Sequence, residues 1–244
     1  MPKDSFQFKQ FLIRQDRCAM KVGTDGVLLG AWSRGGKRIL DIGCGTGLLS
    51  LMMAQRHPDA VVVGVEIDAE AARQARENIL ASVFSDRVSV VNASIQEYFD
   101  GFKETVGSQG FDAIVSNPPY FLESLKNPDA QRTMARHADS LSYGDLLQAA
   151  SGLLLPDGSF SVVLPVEGCA SMMIEEATLR GFFLSRRTDV KTVERKAAKR
   201  CLLEFVKRQP DTYDHEVQTL QAADGGRSAW YENLTGDFYL DAEI

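Results

Sequence analysis

The segment Asp41-Ile42-Gly43-Cys44-Gly45-Thr46-Gly47 sets glycine at alternate positions directly after a short apolar run, Arg38 to Ile42. Glycines so spaced let the backbone turn tightly and leave room for a ligand against the start of a following helix. A dinucleotide site would read Gly-x-Gly-x-x-Gly and seat a pyrophosphate on the helix dipole. This loop reads Gly-x-Gly-x-Gly and is preceded by an acid, Asp41. It suits a ligand without phosphate, whose amino-acid tail needs space and backbone hydrogen bonds. Glu66 follows Asp41 by 25 residues and ends a second apolar run, where a carboxylate accepts from both hydroxyls of a ribose. Asn92-Ala93 ends a third run and is positioned to frame an adenine ring.

S-adenosylmethionine meets these conditions. The residues expected to touch it are Lys21, Thr24, Asp41, Gly43, Gly45, Gly47, Glu66, Ile67, Asn92, Ala93 and Asn117. For Thr24 and Asp25 a place at a helix N-terminus is an equal reading. Loop, strand-end acid and third-strand polar residue together resemble the class I S-adenosylmethionine-dependent methyltransferase family. Asn92 departs from the aspartate often found at its position there.

A second motif, Ser116-Asn117-Pro118-Pro119-Tyr120, comes 70 residues after Gly47 at the end of a fourth apolar run. Each proline lacks an N–H and fixes its φ, and Asn117 is restricted by the proline that follows it. The turn is preset and rich in acceptors. An exocyclic amine on a purine is a poor nucleophile because its lone pair is delocalised into the ring. Two acceptors for its two hydrogens, the Asn117 side-chain oxygen and the Pro118 carbonyl, favour the loss of planarity that frees the pair. Tyr120 offers a face on which a base can stack. Asn117, Pro118, Pro119 and Tyr120 are therefore the candidate catalytic residues, and the chemistry needs neither a metal nor a covalent intermediate.

The elements that position these turns follow from hydrophobic patterning. Apolar runs at Arg38 to Ile42, Ala60 to Ile67, Val88 to Val91, Phe111 to Ser116 and Ser159 to Leu164 predict strands, and the nearly all β-branched run of Ala60 to Ile67 predicts one covered on both faces. Helical spacing predicts helices over Leu48 to Gln55, Ala69 to Leu80 with Asp68 as cap, Leu141 to Leu155, and Glu167 to Arg180 stopped at Gly181. Phe182 to Thr188 and Cys201 to Lys207 predict a late antiparallel pair. The expectation is an α/β fold: a doubly wound, seven-stranded, mostly parallel sheet with one antiparallel strand. Within one domain, residues 1–35 read as a lead-in near the cofactor, 36–208 as the methyltransferase domain and 209–244 as an acidic extension.

Composition narrows the class. A hydrophobic fraction of 44% and a charged fraction of 25% are those of an ordinary globular protein, which excludes disordered, collagen-like and coiled-coil chains. No apolar run reaches membrane-spanning length and the N-terminus lacks a signal core, so a cytosolic location is expected. Cys18, Cys44, Cys169 and Cys201 are far apart and read as free thiols, without metal-ligand spacing. A net charge of −6 argues against nonspecific coating of nucleic acid. The charge is uneven, however: Arg186 to Arg200 holds seven cations against two acids, whereas the tail after Arg208 holds Arg227 against eight acids. The basic run is a candidate polyanion-facing edge.

The Asn-Pro-Pro-Tyr motif fits enzymes acting on adenine N6, guanine N2 or a glutamine side-chain amide. Release-factor glutamine methyltransferases carry a helical domain before the glycine loop, whereas 40 residues precede Asp41 here. DNA adenine enzymes usually add a target-recognition domain, and ribosomal guanine enzymes duplicate the domain or place Phe after the prolines. A non-catalytic module that keeps only the fold is the alternative from another class. Over nearly its full length the chain resembles the bacterial tRNA1(Val) adenine-37 N6-methyltransferase family. The resemblance is carried by Phe6 to Arg17, Lys21 to Trp32 (KVGTDGVLLGAW), Ala135-Arg136-His137 and Leu234 to Leu240 (LTGDFYL). It implies transfer of a methyl group to an adenine beside the anticodon, a single-stranded target that is cheap to extrude. The implied partner is tRNA, with no membrane, metal or obligate protein partner. Arg132, Arg136, Lys196, Lys199 and Arg200 are the candidate RNA-binding residues, and His137 reads equally as a phosphate contact or a solvated side chain.

Overall fold

Residues 4–18, 20–105, 109–119 and 141–240 are described by the computed structural model. Two three-residue strands, β1 (Ser5–Gln7) and β2 (Leu12–Arg14), pair antiparallel ahead of helix α1 (Thr24–Trp32). The alternating part runs β3 (Arg38–Ile42), α2 (Leu48–Arg56), β4 (Val61–Glu66), α3 (Ala69–Leu80), β5 (Val88–Asn92), α4 (Ile95–Glu104) and β6 (Phe111–Ser116). It continues through α5 (Tyr143–Leu153), β7 (Leu154–Pro165), α6 (Cys169–Leu179), β8 (Phe183–Lys191), β9 (Arg200–Val206), β10 (Asp214–Thr219) and α7 (Ala229–Thr235).

The main sheet has the order β10-β8-β9-β7-β6-β3-β4-β5. β9 runs antiparallel to both of its neighbours, β7 and β8, and every other pairing is parallel. The doubly wound, mostly parallel class with one reversed strand is thus the observed one. The sheet has eight strands where seven were expected. The eighth, β10, comes from the acidic extension and pairs in parallel with β8 at the sheet edge. Its residues Asp214 to Val217 are exposed, which is why no buried-strand pattern marks them.

Two apolar layers sandwich the sheet. On one face α1, α2, α3 and α7 pack with the N-terminal hairpin around Phe8, Leu28, Leu51 and Met52. On the other α4, α5 and α6 pack around Leu40, Ile114, Leu147 and Phe160. α1 is buried from Gly26 through Trp32, and a Cβ on Gly30 would come within 2.8 Å of Met52 Sδ, so glycine there permits the close approach of α1 and α2. The turn signal Pro156-Asp157-Gly158 lies inside β7: the β6–β7 register shifts between the Phe111–Leu154 and Ala113–Ser159 pairs, and the extra residues form a bulge. Among the described residues no helix is long and apolar enough to cross a membrane. The four cysteines are free.

Candidate active site

The chain winds from β3 outward to β4 and β5, then returns to place β6 on the other side of β3. The crevice at such a reversal, beyond the C-terminal ends of the strands, is where open α/β sheets bind ligands. Ile42 and Ser116 are paired in register, so the glycine loop and the Asn-Pro-Pro turn leave the sheet side by side. Ser116 Oγ donates to the Ile42 carbonyl at 2.8 Å and fixes their separation.

The loop holds its shape through left-handed glycines: φ is 72° at Gly43, 55° at Gly45 and 82° at Gly47. A Cβ on Gly43 would meet nothing within 4 Å, because that side of the loop opens into a cavity. Gly43 and Cys44 donate their N–H groups to the Val65 carbonyl at 2.8 and 3.1 Å, and Gly45 donates to Glu66 Oε2 at 2.8 Å. Glu66 Oε1 accepts from the Asp68 N–H at 3.0 Å, so the carboxylate is held from both ends at the tip of β4.

Two adjoining compartments surround this loop. The first, about 440 Å³, is lined by Gly43, Gly45, Glu66, Ile67, Ala93, Asn117, Pro118 and Pro119, together with Arg17, Cys18, Met20, Asp68 and Ser94 to Gln96. The second, about 400 Å³, is lined by Lys21, Thr24, Asp25, Thr46, Leu48 and Arg200. Met20, Gly43, Gly45 and Asn117 line both and form the partition between them. Their size and mixed lining are those of a small-molecule site. The Asn117 amide stands at the partition, with Nδ2 3.5 Å from Met20 Sδ.

Four residues expected at the site are placed differently by the structure. Asp41 is fully buried beneath the loop, where Oδ2 accepts from Ser50 Oγ at 2.7 Å, and it lines neither compartment. Asn92 is turned out of the cavity: its Nδ2 donates to the Glu66 and Ile67 carbonyls at 2.8 and 3.0 Å, so the wall expected there is made by Ala93 to Gln96. Gly47 also stands outside both compartments and serves as the left-handed N-cap of α2. Arg200, expected on the RNA-facing surface, points inward and ion-pairs with Asp25 in the second compartment. Asp25 is the second residue of α1, whose N-cap is Gly23.

The basic run divides in the same way. Arg186 pairs with Glu204 at 3.3 Å, Arg187 with Asp189 at 2.9 Å and Lys191 with Glu194 at 3.0 Å, so these cations are neutralised within the fold. Arg195, Lys196 and Lys199 are exposed between β8 and β9 and carry no ion pair among the described residues. Since β8 is parallel to β3, β4 and β6, this turn lies on the same edge of the sheet as the two motif loops. Tyr120, Arg132, Arg136 and His137 lie outside the described residues.

Arg17, Cys18 and Met20 in the cavity wall were not anticipated. They are brought there by α3, whose polar side chains tie down the lead-in: Gln74 Oε1 accepts from the Arg17 N–H at 3.2 Å, and Asn78 binds both the N–H and the carbonyl of Arg14 at 2.9 Å. Asn78 Nδ2 also donates to the Thr46 carbonyl at 2.9 Å, so one buried amide joins the hairpin to the glycine loop. Ser94 to Gln96 had a sequence signal, the Ser94-x-x-Glu97 capping box that starts α4.

Burial pushes the Asp41 carboxyl up to about 7, against the opposing pull of its bond from Ser50. A carboxyl raised on folding favours the native state at low pH, and that advantage is lost as pH climbs from the unfolded value near 4 to the folded one near 7. Thermal unfolding of Asp41→Asn should therefore gain on the wild type between pH 4 and pH 7 and hold a constant difference above it. A difference in Tm that does not change with pH would show that Asp41 titrates alike in both states.

The chain is similar in sequence and in fold to known methyltransferases. The family model described as "Methyltransferase small domain" matches residues 22–177. A tRNA1(Val) (adenine(37)-N6)-methyltransferase of Bacteroides fragilis is 46% identical over 242 residues, covering 98% of this chain and 99% of that one. The protein of the same name from Trichodesmium erythraeum is 46% identical over 244 residues, with 98% and 99% covered. Among solved structures, a predicted O-methyltransferase from Agrobacterium tumefaciens superposes with a TM-score of 0.63 at 18% identity, covering 91% of this chain and all of that one. TrmN from Thermus thermophilus gives 0.53 at 24% identity, with 75% and 47% covered. The glycopeptide N-methyltransferase MtfA, in complex with S-adenosylmethionine, gives 0.52 at 13% identity, with 78% and all of its chain covered. At such identities the structural likeness is one of fold.

Proposed function

The chain belongs to the tRNA1(Val) (adenine(37)-N6)-methyltransferase family, and from that premise we propose that the Asn117 turn presents the N6 amine of an anticodon-loop adenine to a methyl donor held across the two compartments. The enzyme uses S-adenosylmethionine to methylate adenine N6 in tRNA. The observation that carries the assignment of roles is the shared wall: Asn117, Gly43 and Glu66 face one cavity, Asn117 from β6 and the other two from β3 and β4.

The residues present fit the cofactor. Gly43 leaves open space where a side chain would intrude, Glu66 offers ribose hydroxyls a fixed carboxylate, and Ile67, Ala93 and Ile95 give a planar base apolar walls. Thr46 and Lys21 line the second compartment, where an amino-acid tail belongs. When bound, S-adenosylmethionine supplies an electrophilic methyl group with a neutral thioether as leaving group. The protein's part is to orient the amine and free its lone pair. The Asn117 side-chain oxygen and the Pro118 carbonyl each accept one amine hydrogen, which favours a pyramidal nitrogen and stabilises the positive charge that develops on it. After the C–N bond forms, the nitrogen sheds one of these hydrogens to solvent. Pro118 is buried and Pro119 exposed, so the turn is anchored on one side and open to the base on the other. Tyr120, next in the chain, is the proposed stacking partner.

Lys196 and Lys199, with Arg132 and Arg136, are the proposed phosphate contacts, and a tRNA substrate supports the expected cytosolic location. Reversing the charge of both lysines should raise the KM for tRNA and lower the slope of log affinity against log salt by about 1 for each phosphate left without its cation. A salt slope equal to that of the wild type would remove this turn from the RNA surface. The function as a whole is tested by labelled methyl transfer to unmodified tRNA, ribosomal RNA and release factor in parallel, followed by nucleoside analysis. Label in N6-methyladenosine from the tRNA arm is expected. Label confined to the protein arm would refute the proposal.

A further inference from the structure

Arg200 opens β9 at the edge of the sheet where β7 and β8 end, and reaches across to the first turn of α1 to pair with Asp25. The two side chains are 25% and 23% exposed, and both line the second compartment. A mostly buried ion pair in a cavity wall adds little to stability, and it presents both signs of charge to a ligand in that cavity. The compartment adjoins the nucleoside side and shares Met20, Gly43, Gly45 and Asn117 with it.

We infer that Arg200 and Asp25 form the specificity-determining pair for the amino-acid end of the methyl donor, with the guanidinium receiving its carboxylate and the Asp25 carboxylate receiving its ammonium. The inference deepens the proposed function and rests on its placement of the donor across both compartments. A zwitterion set antiparallel to an ion pair meets opposite charge at both ends, and a planar guanidinium can hold a carboxylate by two parallel hydrogen bonds. The surroundings assign the ends. Lys21 lies in the same wall, and the N-termini of α1 at Gly23–Asp25 and of α2 at Leu48 both border the space, so the field there favours an added carboxylate. Asp25 supplies the negative charge that an ammonium needs. Arg200 then acts by recognising a tail: the enzyme should prefer nucleosides that carry the whole amino acid over those that lack it.

Calorimetric binding by the full-length protein separates these roles with three ligands: S-adenosylhomocysteine, 5′-methylthioadenosine, which lacks the tail, and decarboxylated S-adenosylmethionine, which keeps only the ammonium. Arg200→Gln should weaken S-adenosylhomocysteine by about 10- to 100-fold and leave 5′-methylthioadenosine within about twofold. Retained binding of the truncated nucleoside also reports an intact fold. The decarboxylated ligand should lose nothing further on Arg200→Gln, and Arg200→Lys should recover part of the lost affinity. If Arg200→Gln does not fold, Arg200→Lys carries the decision, with a loss for S-adenosylhomocysteine and none for 5′-methylthioadenosine. Equal loss of both ligands, or of neither, would overturn the inference and leave the cofactor reading intact. Absence of S-adenosylhomocysteine binding by the wild type would instead overturn the cofactor reading, and the inference with it.

Discussion

Asn117→Ala should lower kcat by about 10²- to 10³-fold while moving the Kd of S-adenosylhomocysteine by less than about threefold. The asymmetry follows from where the amide stands. Asn117 lines the partition of the two compartments, yet the proposed polar anchors of the cofactor are elsewhere, at Glu66 and around Lys21 and Thr46 in the second compartment. Its proposed partner is the acceptor amine, whose need for a hydrogen-bond acceptor grows as positive charge develops on nitrogen. An interaction that strengthens toward the transition state is read in kcat. Asn117→Asp keeps an oxygen and adds charge, and should retain more activity than alanine. Equal losses in turnover and cofactor affinity would move Asn117 to the cofactor and leave the amine without its proposed acceptor.

Glu66→Ala should do the reverse, weakening S-adenosylhomocysteine by about 10²-fold or more with kcat at saturating donor reduced only a few-fold. Two losses combine in this variant. The ribose hydroxyls lose a charged acceptor, and the glycine loop loses the carboxylate that binds the Gly45 and Asp68 N–H groups at 2.8 and 3.0 Å. Glu66→Gln retains one acceptor oxygen and should fall between alanine and the wild type. Unchanged affinity in the alanine variant would mean that the ribose lies elsewhere.

Positions set by local backbone chemistry were legible from sequence. Gly43, Gly45 and Gly47 declare left-handed turns, Pro118 and Pro119 declare a fixed one, and apolar runs before them declare the strands whose ends meet at the switch point. Asp68 and Gly181 likewise mark a helix start and a helix stop. Residues whose role depends on which way a side chain turns were less legible. Asn92 is at the right strand end, but its amide finds two carbonyls, of Glu66 and Ile67, and leaves the cavity. Asp41 adjoins the loop, but strand alternation sends it under the sheet surface to Ser50.

Arg200 belongs to a basic run in sequence, and only the register of β9 against β7 and β8 brings it opposite Asp25 in α1. α1 has no amphipathic stripe because it is buried on nearly every side, so periodicity has nothing to register. α4 was not anticipated, although its Ser94–Glu97 capping box is a sequence signal for its start. β10 is polar and exposed, and its strand form depends on the free edge of β8.

The most direct test of the central claim is the structure of the enzyme with S-adenosylhomocysteine and an anticodon stem-loop of tRNA. The target adenine is expected to be unstacked into the first compartment, its N6 about 3 Å from both the Asn117 side-chain oxygen and the Pro118 carbonyl. An ordered adenine in that complex with its amine directed away from Asn117, or a nucleoside cofactor seated apart from Gly43 and Glu66, would contradict the claim.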